Sequence, residues 1–306
     1  MGAYAARRVL LLVPTVVVVT TLVFVVFRLV PGDPTVFLAG PEATAQDRAE
    51  VRQALGIDQP IPVQYAIFLA NAAQGDFGRS IYSKRPVIGE IAARYPSTLL
   101  LAATSLAVAA TLGISLGVLA AVRHGGPFDY GGMTLAIAGV SLPNFWLGLL
   151  LMLLFSVTLH WLPTSGSGDW RHLVLPAVTL GVPATAVIAR LTRSTMLETL
   201  HQDYIRTAHA KGLSPARITI SHALRNSLIP TVTVVGLNFG YLLGGSVIAE
   251  TLFSWPGIGL LLITAVRGRD YPVVTGVVFV FSITFILVNM LVDLLYGFLD
   301  PRIVRR

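Results

Sequence analysis

Long uncharged runs of apolar residues constrain this chain more than any other feature. A helix needs about 20 mainly apolar residues to cross the hydrocarbon core of a bilayer. Six segments approach or exceed that length, and each is bordered by charged residues or by Pro and Gly. They cover residues 9–30, 97–122, 133–159, 173–191, 228–252 and 273–299. The pattern predicts an all-α, polytopic membrane protein with about six transmembrane helices.

The overall composition agrees with burial in lipid. The chain is 54% hydrophobic and 12% charged, whereas a soluble domain carries roughly 25% charged residues. The first run follows Arg7 and Arg8 but is longer than the apolar core of a cleavable signal peptide. It also leads into a Pro-Gly-Asp-Pro sequence at residues 31–34 rather than into a small-residue cleavage site. We therefore expect an uncleaved first span.

The distribution of basic residues predicts the orientation. Short cytoplasmic loops retain Lys and Arg. A cytoplasmic N-terminus leaves only Arg171, Arg267 and Arg269 in the short outer loops, and both termini are then cytoplasmic. The net charge of +7 is spread along the inner face without an aromatic-rich basic domain. It therefore predicts contact with a lipid membrane and no nucleic-acid partner.

The spans divide the chain into three parts. Residues 1–30 hold the N-terminus and the first helix, residues 31–96 form an extracytoplasmic loop, and residues 97–306 form a five-helix core. Two patterns predict short helices in the outer loop: a capping-box-like Thr44 with Asp47, and an amphipathic stretch over residues 62–73. This loop is expected either to pack on the bundle as a lid or to serve as a docking surface or gate.

The predicted cytoplasmic loop at residues 192–227 has its own helical pattern. Residues 198–211 contain no Gly or Pro and favour a helix, which Gly212 interrupts. Ser214 followed by Pro215 is typical of a helix start. Two short helices meeting at Gly212 would project a bend that fits a cleft on another protein. The alternative is an interfacial connector held flat by its arginines.

Glycines and isolated polar residues mark the membrane segments. Gly236, Gly240 and Gly244 fall four residues apart on one helix face, and Gly113 and Gly117 do so on another. This spacing predicts close helix packing. Polar groups are costly at membrane depth, so they should face the bundle interior or a wet cavity. These residues are Asn144, Asn238, Asn289 and Asp293. They either line a pathway or bond between helices.

Enzymatic chemistry lacks its usual context in this sequence. Residues 113–117 match the G-x-S-x-G pattern, but they lie inside a predicted membrane helix rather than at a strand-to-helix turn. Asp293 has no second membrane Asp beside it, and neither a Cys nor an H-E-x-x-H motif is present. Neither lysine precedes Ser or Thr, so a P-loop is absent. We expect a non-enzyme without a cofactor or metal of its own, powered by a partner or by an ion gradient.

Short motifs occur in order along the whole chain. They are FRLVPGDP at residues 27–34, LGIDQP at 55–60, SLPNFW at 141–146, ETLFSWPGIG at 250–259, RDYP at 269–272 and DPR at 300–302. Together they resemble the B-type permease subunit of bacterial dipeptide, oligopeptide and nickel ATP-binding-cassette importers. The resemblance implies a type I permease fold in the prokaryotic plasma (inner) membrane. It also adds Glu250 to the candidate pathway or packing residues.

Residues 203–213 look like this family's version of the EAA loop. In such importers the loop forms a coupling helix that inserts into a groove on the ATPase subunit. The resemblance implies that the coupling residues are Asp203, Arg206, Ala208, Ala210, Lys211 and Gly212. The small alanines would allow close docking and Gly212 would set the bend. Arg206 stands where the wider motif has Glu, so the charge contact at this position stays open.

The resemblance further implies a complex. Its partners would be a second homologous permease, two ABC ATPase subunits that bind ATP and Mg, and an extracytoplasmic substrate-binding protein. Dipeptides or short oligopeptides are the expected cargo, with nickel, glutathione or another small solute as alternatives, because the binding protein would carry recognition. The competing class is a secondary transporter driven by an ion gradient. It should show inverted repeats and broken helices near the midplane, and neither is evident in the sequence.

Overall fold

Helices make up nearly all of the described structure. The computed structural model describes residues 2–29, 44–46, 49, 52 and 58–299. Within this part of the chain the only β-type pairing is an isolated bridge between Arg79 and Pro86. Most of the helix predicted to begin at Thr44 lies outside the described residues.

The helices are numbered here in chain order. They are α1 Gly2–Leu29, α2 Ile61–Ala73, α3 Val87–Val122, α4 Pro127–Ser141, α5 Asn144–Leu151 with a π-helical extension Met152–Thr158, α6 Arg171–Leu200, α7 Asp203–Ala210, α8 Pro215–Phe253, α9 Ile258–Gly268 and α10 Tyr271–Leu299. The first turns of α8 include a π-helical segment, Ile218–Leu224.

The polytopic helical prediction is confirmed. Within the described residues, α3, α6, α8 and α10 are each long and apolar enough to cross a membrane, and α4 with α5 meets the same criterion as a bent pair. The first predicted span corresponds to α1, which contains the apolar stretch Val13–Val25.

One predicted span has a different shape from the expected one. We predicted a single helix over residues 133–159, but α4 and α5 meet at an angle of 109°. Pro143 has no N–H for the helix ladder and forces the preceding residue out of the helical region. Leu142 is accordingly extended, with ψ of 132°. Averaged hydropathy over the run concealed this break, and the expectation of no broken helix is wrong.

Helices α3 and α6 approach closely through glycine, as the spacing of Gly113 and Gly117 predicts. A Cβ atom added at Gly113 would lie 2.8 Å from the Ile188 side chain, and one at Gly117 would lie 2.6 Å from Thr192 Cβ. On α6, a Cβ atom added at Gly181 would lie 2.8 Å from the Ser105 carbonyl oxygen of α3. Both helices therefore form one packed unit at the centre of the core.

The outer ends of α3, α8 and α9 are joined by a buried carboxylate. Glu250 on α8 is 0% exposed. Its Oε1 accepts a hydrogen bond of 2.7 Å from Thr98 on α3, and its Oε2 accepts bonds of 2.7 and 3.0 Å from the N–H groups of Gly259 and Leu260. Thr98 Oγ1 accepts the N–H of Ile258 at 2.9 Å. Glu250 thus satisfies the first turn of α9.

The segment before α3 is held against the junction of α9 and α10. Asp270 is 3% exposed and accepts hydrogen bonds from Ser80 Oγ at 2.5 Å and from the Ile81 N–H at 3.1 Å. The Tyr82 hydroxyl also donates to the Gly268 carbonyl. This part of the outer loop is therefore fixed to the core.

Helix α2 packs on α1, as expected for a lid. The Tyr65 and Phe68 rings lie 5.2 and 5.6 Å from the Phe24 ring. The Tyr65 and Thr21 hydroxyls lie 2.6 Å apart. A docking or gating role for the outer loop stays a prediction.

We predict that Gly117→Ala destabilises the protein because its Cβ would meet Thr192 and the Ala189 carbonyl oxygen, the latter at 2.7 Å. Overpacking of this kind costs about 1–3 kcal/mol. The measurement is the melting temperature of the purified protein in detergent. Gly244→Ala is the matched control, because nothing lies within 4 Å of the added atom. Equal melting temperatures for the two variants would contradict the packing described for α3 and α6.

We predict that Glu250→Gln lowers the melting temperature, because the amide has one acceptor oxygen in place of two and one of the three donors now bound to the carboxylate loses its acceptor. Leaving a buried donor unsatisfied costs about 1–3 kcal/mol. Glu198→Gln serves as the control, since Glu198 is an exposed carboxylate on α6. If both substitutions have the same small effect, Glu250 does not hold the three helices together.

Candidate functional site

The predicted bend at Gly212 is present and has a defined geometry. Gly212 has φ of +74°, a left-handed conformation that glycine adopts without steric cost. Its N–H donates to the His209 carbonyl at 2.9 Å, and the Leu213 N–H donates to the Ala208 carbonyl at 3.3 Å. These two bonds form a Schellman motif that ends α7.

The next helix starts where the sequence indicates. Pro215 is the first residue of α8, and Ser214 before it is extended with ψ of 146°. The Ser214 side chain makes no capping hydrogen bond. The position of the start was therefore predicted correctly, although the hydroxyl does not cap it.

A second break precedes α7, which the sequence analysis missed. We predicted one helix over residues 198–211, but α6 ends at Leu200 and α7 begins at Asp203. Gln202 is extended, with ψ of 149°, and Asp203 places an acidic group in the first turn. An acidic residue favours a helix start through the helix dipole. The cytoplasmic loop is therefore a short separate helix with a turn at each end.

One face of α7 is buried in the protein itself. Ile205 and Ala208 are 1% and 6% exposed and belong to a hydrophobic cluster. Its other buried members, from α3, α6 and α8, are Ala121, Met196, Ile218 and Ala223. The expectation that Ala208 offers a docking contact is wrong, because its side chain faces the core. Its small size instead allows α7 to lie close to α8.

The opposite face of α7 is open. Of the predicted coupling residues, the exposed ones are Asp203, Arg206, Ala210, Lys211 and Gly212. The Asp203 and Arg206 side chains are 96% and 76% exposed and form an ion pair of 3.5 Å. Such a solvated pair contributes little stability, so both groups are available to a partner.

Two further contacts hold this region, and neither was predicted. Asn226 Nδ2 on α8 donates to the Tyr204 hydroxyl on α7 at 2.8 Å. Nearer the membrane, Arg193 on α6 makes a bidentate ion pair with the buried Asp129 at 2.5 and 2.8 Å. Asp129 also accepts the Gly125 N–H at 3.0 Å. These pairs join residues far apart in sequence, so the only sequence signal was the presence of complementary groups.

The glycine stripe of α8 has two environments. A Cβ at Gly236 would lie 2.7 Å from Val292, and one at Gly240 would lie 3.0 Å from Phe285, so both pack against α10. Gly244 has open space around it. It lines an apolar groove of about 300 Å³ between α1, α8 and α10. Close packing is therefore confirmed for two of the three glycines.

The predicted polar pathway residues are not brought together at one site. Asn238 Nδ2 donates to the Val234 carbonyl of its own helix at 2.8 Å. Asn289 on α10 faces Gly240, with its Oδ1 3.7 Å from an added Cβ. Asn144 begins α5 at the broken span. Asp293 lies in α10, but its side chain is outside the described residues.

Of the two roles considered for Glu250, the structure supports helix packing. Its carboxylate is buried between α3, α8 and α9, as described above. Among the described residues, no group of three or more His, Asp or Glu side chains could hold a metal ion.

Comparison with known proteins identifies two matching family models. Residues 113–305 match the family described as "Binding-protein-dependent transport system inner membrane component". Residues 1–102 match the model of the N-terminal part of the corresponding membrane component.

Individual relatives are similar over almost their whole length. The chain is 50% identical over 300 residues to the glutathione transport system permease protein GsiC of Salmonella typhi, with 98% of each chain covered. The GsiC protein of Escherichia coli K12 is 48% identical with the same coverage.

Solved structures share the fold at low sequence identity. An inward-facing structure of the MetNI methionine ABC transporter has a TM-score of 0.60 and 20% identity, covering 69% of this chain and 96% of that chain. An amino acid ABC transporter has a TM-score of 0.54 and 13% identity, covering 68% and 93%.

The family model spans more than half of the chain, and the relatives align from end to end. The competing class of secondary transporter is thereby set aside. The subunits of this family are transport components of the inner membrane, and the ATPase is a separate subunit. This chain belongs to the binding-protein-dependent transport system inner membrane component family, the permease subunits of ATP-binding-cassette importers.

Proposed function

We propose that this chain forms half of a translocation pathway for glutathione or a similar short peptide. An extracytoplasmic binding protein delivers the cargo, and a second permease and two ATPase subunits complete the complex. The observation that carries the proposal is identity of 48–50% over 98% of both chains with permeases named for glutathione transport. The sequence analysis gave dipeptides or oligopeptides as the expected cargo and glutathione as an alternative, and the names of these relatives favour that alternative. Nickel and other solutes remain alternatives.

The energy enters, in this proposal, at the exposed face of α7. That face carries Asp203 and Arg206, and the exposed Lys211 follows directly after the helix. The buried face packs on α8 through Ile205 and Ala208. A partner that displaces the exposed face must therefore move α7 and α8 together. The well-packed contacts between them transmit displacement because packed interiors have low compressibility.

The turn after α7 fixes how α7 is oriented relative to α8. Gly212 and Leu213 close the Schellman motif, and Leu213 packs against the same cluster as Ala208. The bond between Asn226 and Tyr204 adds a second connection from α7 to α8. The partner subunits would bind ATP together with Mg. The resulting movement of α7 would reach the membrane helices through the turn at Gly212 and Leu213, which we call the elbow.

We predict that Gly212→Val uncouples ATP hydrolysis from uptake while the complex still assembles. A left-handed conformation costs an L-residue about 1–2 kcal/mol, and a β-branched side chain makes it worse. The measurement is the amount of cargo imported per ATP hydrolysed in proteoliposomes. Gly212→Asn is the matched control, because Asn tolerates this conformation. Normal coupling in the Val variant would contradict a role for the elbow.

We predict that proteoliposomes containing the complete complex and its binding protein accumulate labelled glutathione only when ATP is supplied. Excess dipeptide or nickel should compete weakly, since the relatives are named for glutathione transport. Accumulation of nickel or dipeptide, with no accumulation of glutathione, would overturn the proposal that glutathione is the cargo. Uptake by this chain alone on an ion gradient would overturn the transporter class.

A further inference from the structure

Helix α4 is attached to the rest of the protein along one narrow seam. All residues of α4 are described, and Asp129 and Ala136 are the buried ones. Gly139 lies on the same helix face, because the three positions are spaced seven and three residues apart. A Cβ atom added at Gly139 would lie 2.8 Å from Val182 on α6. The helix packs mainly on α6 and less on α3, so contacts with α6 set its position.

The Asp129–Arg193 ion pair closes this seam at its inner end. Arg193 Nε and Nη2 donate to the two carboxylate oxygens at 2.5 and 2.8 Å, and the Asp129 side chain is 2% exposed. A bidentate pair of this kind fixes both the distance and the orientation of the groups that it joins. A buried ion pair adds little net stability compared with an apolar contact of the same size. Its distinctive contribution is therefore a fixed geometry between α4 and α6.

The same part of α6 also contacts α7. Met196 is 0% exposed and belongs to the hydrophobic cluster that includes Ile205 and Ala208 of α7. Arg193 and Met196 are three residues apart, which is about 4.5 Å along the helix axis and less than one turn. Helices α4 and α7 therefore hold α6 at adjacent points, with little intervening helix that could bend.

We propose that Asp129 and Arg193 are positioning residues that make α4 follow α6 when a partner displaces α7. Contacts at Met196 pass the displacement from α7 to α6, and the ion pair passes it on to α4. The inference rests on the proposed importer function and adds two residues to its coupling route, both outside the cytoplasmic helix itself. A pair with a structural role alone would stabilise the fold without controlling how α4 moves.

A distance measurement between two spin labels tests this link, because the chain contains no Cys of its own. The labels are attached at Tyr130→Cys on α4 and Glu198→Cys on α6, both of which are exposed positions. Pulsed electron paramagnetic resonance gives the distance in the complete complex, without nucleotide and after trapping with ATP and vanadate. The same complex without the two introduced cysteines gives the background from the other subunits.

The variants separate positioning from stability. The double variant Asp129→Leu, Arg193→Met removes both charges, and apolar replacement of a buried pair is often neutral for stability. Arg193→Lys keeps the charge but loses the bidentate fork. The matched control is the double variant Asp169→Leu, His172→Met, because that ion pair of 2.9 Å lies at the other end of α6 and joins residues three positions apart.

With the ion pair intact, we expect the same distance in both states, because α4 and α6 move as one body. In the double variant we expect trapping to shift the distance by about 2–5 Å, the size of helix displacements in switching proteins, and Arg193→Lys should give a smaller shift. A shift in the protein with the intact pair, or no shift in any variant, would overturn the proposal. If the double variant does not assemble, the result for Arg193→Lys decides.

The second readout is the amount of cargo imported per ATP hydrolysed in proteoliposomes. We expect this ratio to fall several-fold in the Asp129, Arg193 double variant at an unchanged melting temperature, and to stay normal in the Asp169, His172 control. A normal ratio in the first variant would contradict the positioning role. The label distances require no cargo, so absence of uptake by the unmodified complex would reject the proposed function and leave the test of this inference intact.

Discussion

The structure depends on one constraint: the hydrocarbon of a bilayer cannot hydrogen-bond to the backbone. The described chain satisfies most of its backbone hydrogen bonds within helices, and buried side chains receive N–H groups at two places outside the regular helix pattern. Glu250 and Thr98 receive the first N–H groups of α9. Asp270 receives those of the segment before α3.

In the function proposed above, the contacts of α7 explain how a membrane subunit without a P-loop would respond to ATP bound by a partner. Helix α7 is short, and its only buried face is shared with α3, α6 and α8. The turn at Gly212 fixes its end, and the Asn226 bond fixes its angle. The Arg193–Asp129 ion pair joins α6 to the first turn of α4. A force on the exposed face of α7 therefore reaches several membrane helices, including one half of the bent pair.

Local patterns predicted much of this arrangement, and long-range pairs account for what was missed. The spans, the bend at Gly212 and the start at Pro215 follow from hydropathy and from Gly and Pro chemistry. Burial of Ala208 could have been found from its three-residue spacing to Ile205, which places both on one face. The pairing of Glu250 with Thr98 depends on residues 152 positions apart, and the sequence contains no pattern for such a contact. Pro143 is present in the sequence, but hydropathy averaged over residues 133–159 does not show that it breaks this span into two helices.

The central claim is that a separate ATPase drives this chain through the exposed face of α7. A photoreactive amino acid placed at Arg206, which is exposed, tests it directly, with Tyr130, 69% exposed on α4, as a second exposed position. After illumination of intact membranes, the account predicts a crosslink from position 206 to an ATPase subunit and a much weaker one from position 130. Equal crosslinking from both positions, or none to an ATPase from position 206, would contradict it.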